Sequence, residues 1–280
     1  MEPKSIVFFF SPGGSTRCIS EVITETLNKL GKKPLTFDIS REDQLHNLQR
    51  HLNDLPARSC LYVGSPVYAC HPAPPITQVL SQISKGDGCY AVPFVTWGAV
   101  TSGVALHDMG KLLTAKEYTI IGAAKIVAVH SLTWKFHSPL GNGHPDQEDE
   151  RLVKGLVERV CKKLSNDPVE TLSLEMLNYQ PAEAQKVMEH ASIEKAKKLL
   201  PPRQLDRELC TGCGICADIC PIHTITCEFY PDFGPECIYC FNCVRHCPEE
   251  AIKADFSQME EILRNRVKEN AEDPLSQIFI

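Results

Sequence analysis

Eight of the fourteen cysteines of this 280-residue chain fall into two runs of one rhythm. Cys210, Cys213, Cys216 and Cys220 precede Pro221, and Cys237, Cys240, Cys243 and Cys247 precede Pro248. Each run reads C-x-x-C-x-x-C-x-x-x-C-P, a spacing that builds cubane iron–sulfur clusters. Three close thiolates wrap three corners of one cluster, and the fourth cysteine reaches the cluster of the other run. Cluster one is therefore assigned to Cys210, Cys213, Cys216 and Cys247, and cluster two to Cys237, Cys240, Cys243 and Cys220. Disulfides would suit a secreted scaffold, but the N-terminus runs directly into a strand-like segment with no signal-peptide pattern. Zinc would ask for paired C-x-x-C units with a longer gap. The chemistry expected is one-electron transfer by two [4Fe–4S] clusters. Cys18, Cys60, Cys70, Cys89, Cys161 and Cys227 lack metal spacing and read as buried reduced thiols, which points to a reducing cytoplasm.

The elements in front of these runs alternate between strand and helix patterns. Ser5–Phe10 is a short apolar run, as in a strand buried on both faces. Ser11-Pro-Gly-Gly-Ser-Thr16 follows, then a helical face of Ile19, Val22, Ile23, Leu27 and Leu30 that ends at Gly31. Such a strand, loop and helix can hold a phosphate dianion on loop amides, hydroxyls and the helix N-terminus. The loop lacks both the P-loop lysine and G-x-G-x-x-G, and a tight turn with a Ser/Thr cap is its plainer reading. Further strands are expected at Leu35–Ile39, Leu61–Gly64, Tyr90–Thr96 and Tyr118–Val129, with helices at Asp43–Leu52, Ile76–Ile83 and Gly103–Leu113. This alternation predicts an α/β fold with a doubly wound parallel sheet, in which ligands bind beyond the carboxyl ends of the strands. Three loops leave those ends: 11–16, Ser65–Pro75 and Thr96–Ser102. Tyr68 and Trp97 in two of them are placed to flank a flat ring, which suggests a flavin; isolated aromatics are more often plain packing.

Ser11–Thr16 resembles the flavodoxin phosphate loop, Gly64-Ser-Pro-Val-Tyr68 the second flavin loop and Thr96-Trp-Gly98 the third. Together with the cysteine runs, the chain resembles a family of flavodoxin–ferredoxin fusion proteins of anaerobes, moderately over residues 4–145 and strongly over 203–256. The resemblance implies a flavodoxin-like sheet of order 2-1-3-4-5, a small α+β two-cluster ferredoxin domain, and FMN. The FMN-binding residues it implies are Ser11, Gly13, Gly14, Ser15, Thr16, Pro66, Val67, Tyr68, Ala69, Thr96, Trp97 and Gly98. Gly13 departs from the family, which usually has Thr there, and leaves the N–H groups of Gly13 and Gly14 to compensate for the missing hydroxyl.

The division expected is a flavodoxin-like FMN domain at 1–166, a helical linker at 167–202, a ferredoxin domain at 203–256 and a C-terminal helix and tail at 257–280. Asp146 reads as the N-cap of a helix through Leu164, Pro168–Tyr179 as irregular connection, Pro181–Leu200 as one stiff helix and Gln258–Asn270 as an amphipathic one. The apolar end, Leu275–Ile280, should dock on something. Phe229, Tyr230, Phe233 and Tyr239 are expected to keep water from the clusters, and His223 and His246 to be structural or surface residues. No apolar run approaches the ~20 residues of a membrane span. The net charge of −6 is concentrated late, since residues 203–256 hold four Arg/Lys against nine Asp/Glu. An acidic end suits redox partner proteins with basic faces and argues against nucleic acid, although solubility alone would explain it nearly as well. No general base or nucleophile stands out, so no catalytic residue is assigned. A soluble low-potential electron carrier is the leading reading. Its rivals are a flavin-dependent reductase of a small substrate and an FMN-free, partner-bound redox subunit or sensor.

Overall fold

The structure, a computed structural model, describes residues 2–280. Its main sheet is built from β1 (Ser5–Phe9), β2 (Leu35–Asp38), β3 (Cys60–Tyr68), β4 (Tyr90–Trp97) and β5 (Ala123–Val127), all parallel and in the order 2-1-3-4-5. This is the flavodoxin-like order. Helices α1 (Ser15–Lys29), α2 (Glu42–Leu52), α3 (Pro74–Gln82), α4 (Ala105–Ala115) and α5 (Gln147–Leu164) make the crossovers. Alternate side chains of β1 feed two separate apolar layers: Ile6 and Phe8 on the face of α2–α4, Val7 on the face of α1 and α5. Both faces are thus covered, as a parallel sheet requires. Asp146 caps α5 in a capping box with Asp149, as the sequence indicates.

The expected last strand, Tyr118–Val129, is two pieces, Thr119–Ile120 and β5, and its end becomes loop. Leu30 is 43% exposed and lies off the buried face of α1. The expected single linker helix is also two, α6 (Ala182–Glu189) and α7 (Ile193–Lys197), because Ser192 turns out of the helix and its hydroxyl caps Lys195 N–H. The stretch before them is packed against the sheet domain: Leu172 and Leu177 are core residues, and Gln180 bonds Ser102 and Gly103.

The cysteine region holds α8 (Ile215–Asp218) and α9 (Asn242–Arg245), with two small antiparallel strand pairs. Its backbone shows the duplication directly. Gly212, Gly214 and His223 have positive φ, and so do Tyr239, Phe241 and Glu250 at the same places in the second copy. The chain then forms α10 (Met259–Asn270) and β6 (Gln277–Phe279), and β6 adds antiparallel to β5. This is the dock of the apolar tail. It is anchored by Glu272, whose carboxylate accepts from Thr101, Ser102, Gln180 and Lys125 Nζ at 2.5–2.9 Å. Both side chains of the Lys125–Glu272 pair are only 9% exposed. Burial alone would raise the Glu272 carboxyl, but bonds from Lys125, Ser102 and Gln180 outweigh it and hold the group below the usual carboxylate range.

Candidate cofactor sites

The carboxyl ends of β1, β3, β4 and β5 open into one cleft. Gly13, Ser15, Thr16, Pro66, Val67, Tyr68, Thr96, Trp97 and Gly98 line it together. The remaining three residues implied for FMN lie off it. The Ser11 hydroxyl accepts Arg17 N–H at 2.9 Å, Gly14 is the N-cap of α1 at φ +91°, and Ala69 faces a neighbouring cavity of about 150 Å³. Ser11 and Gly14 instead border a wide groove of about 770 Å³, which the cleft joins at Pro12 and Gly13. The cleft itself encloses about 70 Å³. At the start of α1 the Arg17 N–H is thus already taken by Ser11, and Gly14 offers no side chain to cap the amides of Ser15 and Thr16.

Trp97 does not offer a free ring face. It is 1% exposed, packed with Val127 and Ala99, and Lys125 Nζ lies 5.5 Å from its ring centroid. It is a wall of the cleft, and Tyr68 is the aromatic left to flank a flat ligand. A fourth wall, Ala128–Ser131, follows β5 where the sequence reading expected the end of a strand and no site. In it, His130 Nδ1 accepts Leu132 N–H at 3.2 Å, and burial lowers its pKa to about 4, so the ring is neutral. Gly98 has no room for a side chain, since a Cβ would fall 2.6 Å from His130.

In the cysteine region, Cys210, Cys213, Cys216 and Cys247 line one small cavity. Cys227 lines it too; the sequence had placed that residue among the scattered thiols. Cys240 has Cys243, Cys237 and Cys220 as its thiol neighbours, so the second predicted set also converges. Burial, chiefly, pushes the Cys240 thiol up to about 12 and Cys216 up to about 11, so both hold protons that metal ligation would displace. All fourteen cysteines are free of disulfides. Donors for sulfur are in place: Arg203 Nη1 reaches Cys237 Sγ at 2.9 Å, Tyr239 N–H the same sulfur at 3.3 Å, and Ala251 N–H Cys247 Sγ at 3.3 Å. Converging soft thiols with N–H donors around them fit an iron–sulfur cluster. The four aromatics expected to exclude water divide. Tyr239 and Phe233 are partly buried, whereas Phe229 is 81% and Tyr230 40% exposed.

The two regions meet at the cleft. Asn242 Nδ2 donates to Pro12 O at 2.9 Å, Arg245 Nη2 to Ser131 O, and the His223 ring nitrogen Nε2 pairs with Ser40 O at 2.9 Å. Ile238 and Cys240 belong to the core layer of the main sheet, and Tyr68 packs against that layer. His246 is exposed and borders the wide groove.

Residues 203–226 match the 4Fe-4S binding domain family. The match takes in the whole first cysteine run. The chain therefore joins a flavodoxin-like sheet domain to a 4Fe-4S ferredoxin domain. It is also similar to NADH-quinone oxidoreductase subunit I of Pelobacter propionicus, at 29% identity over 27% of this chain and 47% of that protein. The chain thus spans about half the length of this curated relative. Among solved structures, an archaeal flavodoxin is 14% identical (58% of this chain, 99% of that one, TM-score 0.40). The rubredoxin oxygen:oxidoreductase of Desulfovibrio gigas is 16% identical (59% and 37%, TM-score 0.45). An NADH:FMN oxidoreductase in its apo form is 15% identical (59% and 92%, TM-score 0.44). No helix among the described residues is long and apolar enough to cross a membrane.

Proposed function

We propose that the chain is an electron-transfer protein with three centres, one FMN and two [4Fe–4S] clusters, serving redox partner proteins. The observation that carries this reading is the seating of α9, from the second cysteine run, on the rim of the strand-end cleft through Asn242 and Arg245. Gly13, Ser15 and Thr16 would meet the FMN phosphate, Tyr68 and Gly98 would border the ring, and the two cysteine sets would hold the clusters. Clusters carry single electrons and a flavin one or two, so their union links one-electron to two-electron traffic. The chain supplies placement, exclusion of water and electrostatics. Residues 1–166 and the returning strand β6 would form the flavin unit, and 203–256 the cluster unit. Anaerobic purification with iron, sulfide and flavin analysis tests the reading. About eight iron and one FMN per chain are expected. Eight iron without flavin, even after FMN is added, would refute the flavin half.

A further inference from the structure

The two copies of the cysteine run hold the same backbone turns and differ in how deeply their cysteine sets are buried. At matching left-handed positions the first copy has Gly212 and Gly214, whereas the second has Tyr239 and Phe241. Left-handed backbone is costly for a bulky side chain. What the second copy gains is packing: Phe241 is 1% exposed and meets Tyr239 and Phe256 edge-on. Cys237, Cys240 and Cys243 are all buried. Around the first copy, Cys216 is buried, but Cys213 is exposed, Cys210 and Cys247 are half-buried, and the cavity these four line is walled only by residues of the cysteine region.

We infer that the two clusters are inequivalent by construction: cluster two faces the flavin cleft, and cluster one is the outward port through which a partner protein exchanges electrons. This order rests on the cofactor reading above. Cluster two is the inner centre because Ile238 and Cys240 are built into the sheet domain's core and Asn242 and Arg245 grip the cleft rim. Polar atoms of these two residues, Asn242 Oδ1 and Arg245 Nε, are buried there without a partner. Cluster two also has a private cation. Arg203 donates to Cys237 Sγ at 2.9 Å and lies over the Phe233 and Tyr239 rings. A hydrogen-bonded cation stabilises the reduced, more negative cluster and raises its potential.

The outer face has the chemistry of a docking site. Leu209, Ile215, Phe229 and Tyr230 are exposed apolar side chains of the first copy's surroundings. Exposed Glu208, Glu228, Glu249 and Glu250 belong to the same region and outnumber Arg207, which lies over the Tyr230 ring. The occupant that fits is a one-electron redox protein presenting an apolar centre inside a basic rim. A reduced donor of that class loses one electron to cluster one. Cys210, Cys213, Cys216 and Cys247 would hold the centre that takes this electron, and Cys237, Cys240, Cys243 and Cys220 the centre that would relay it, one electron at a time, to the cleft of Tyr68 and Gly98. Two such passages and two protons from solvent reduce one FMN.

The test uses the full chain, loaded anaerobically and assayed for iron and flavin. Arg203→Met should lower the potential of one cluster in an EPR-monitored titration and leave the other unchanged, which identifies cluster two. Arg203→Lys, which keeps the charge, should give a smaller shift and serves if the Met variant folds poorly. A water-soluble dysprosium chelate should then broaden the signal of the unshifted cluster only. In stopped-flow reduction by titanium(III) citrate, electrons should reach the flavin by way of cluster two. Arg203→Met should slow the flavin phase and the bleaching of the shifted cluster several-fold and leave the bleaching of the unshifted cluster unchanged. Broadening of the shifted cluster, or a flavin phase that Arg203→Met leaves unchanged, would overturn the order while leaving the cofactor reading intact. A deficit of iron or flavin in the loaded protein would overturn the cofactor reading, and the order with it.

Discussion

The first and second cysteine runs are the same device in two settings. Both place a short helix after a left-handed residue, Gly214 before α8 and Phe241 before α9. In the first, glycine makes the turn freely and leaves the surface open. In the second, an aromatic accepts the strained backbone and becomes part of a core shared with the sheet domain. The two copies share a backbone turn, filled by glycine in one and by a buried aromatic in the other.

Removing the metal should break this comparison most severely. A small cysteine-rich segment depends on its clusters for folding. After chelation under reducing conditions, hydrogen exchange should open residues 208–220 first and 237–246 later, since Ile238 and Cys240 keep their apolar seat. Simultaneous opening would show that the seat contributes nothing.

The next effect lies outside both copies and serves as a control. Glu272→Ala leaves Lys125 charged and buried without its partner, at a cost of roughly 3–5 kcal/mol. The melting temperature should fall sharply with the iron content of the folded protein unchanged. The wild type should show the same weakness in acid. The Glu272 carboxyl is lower in the folded chain than in the unfolded one, so its contribution is complete above the ordinary value of 4.5 and is lost as pH falls through the folded pKa. Denaturant titration of both proteins across this range should show the variant's pH dependence flattened.

Phe241→Ala should cost about 3–5 kcal/mol, because it empties a buried aromatic site while keeping the left-handed turn. Phe241→Gly should recover roughly 1–2 kcal/mol of that by relieving the turn. The mirror change, Gly214→Ala at φ +77°, should cost only about 1–2 kcal/mol, since open space surrounds it. Urea midpoints of the three variants check the ranking, and a larger loss for Gly214→Ala would invert the comparison.

A pH effect of a different kind concerns His130. Its folded pKa of about 4 lies below the ordinary 6.5. Below pH 6.5 the unfolded chain binds a proton that the folded chain refuses, so stability falls between pH 6.5 and 4 and levels off beneath. NMR titration of the imidazole should find no protonation at pH 6.

Much of this was legible in the sequence because it is written locally. Cysteine spacing, the apolar run of β1 and the Asp146 cap each involve a few adjacent residues, and each is found where expected. What escaped is written across the chain. Glu272 and Lys125 are 147 positions apart, Asn242 and Pro12 are 230 apart, and β6 pairs antiparallel with a strand that no hairpin joins to it. Trp97 shows the limit from the other side: the sequence placed it correctly at the cleft and could not tell a wall from an open ring face.

The central claim is that three redox centres share one chain. Anaerobic reductive titration with a calibrated low-potential reductant tests it most directly. The account predicts uptake of about four electrons per chain, one for each cluster and two for the flavin, with both chromophores bleaching. Uptake of about two electrons with bleaching of the clusters alone would contradict it.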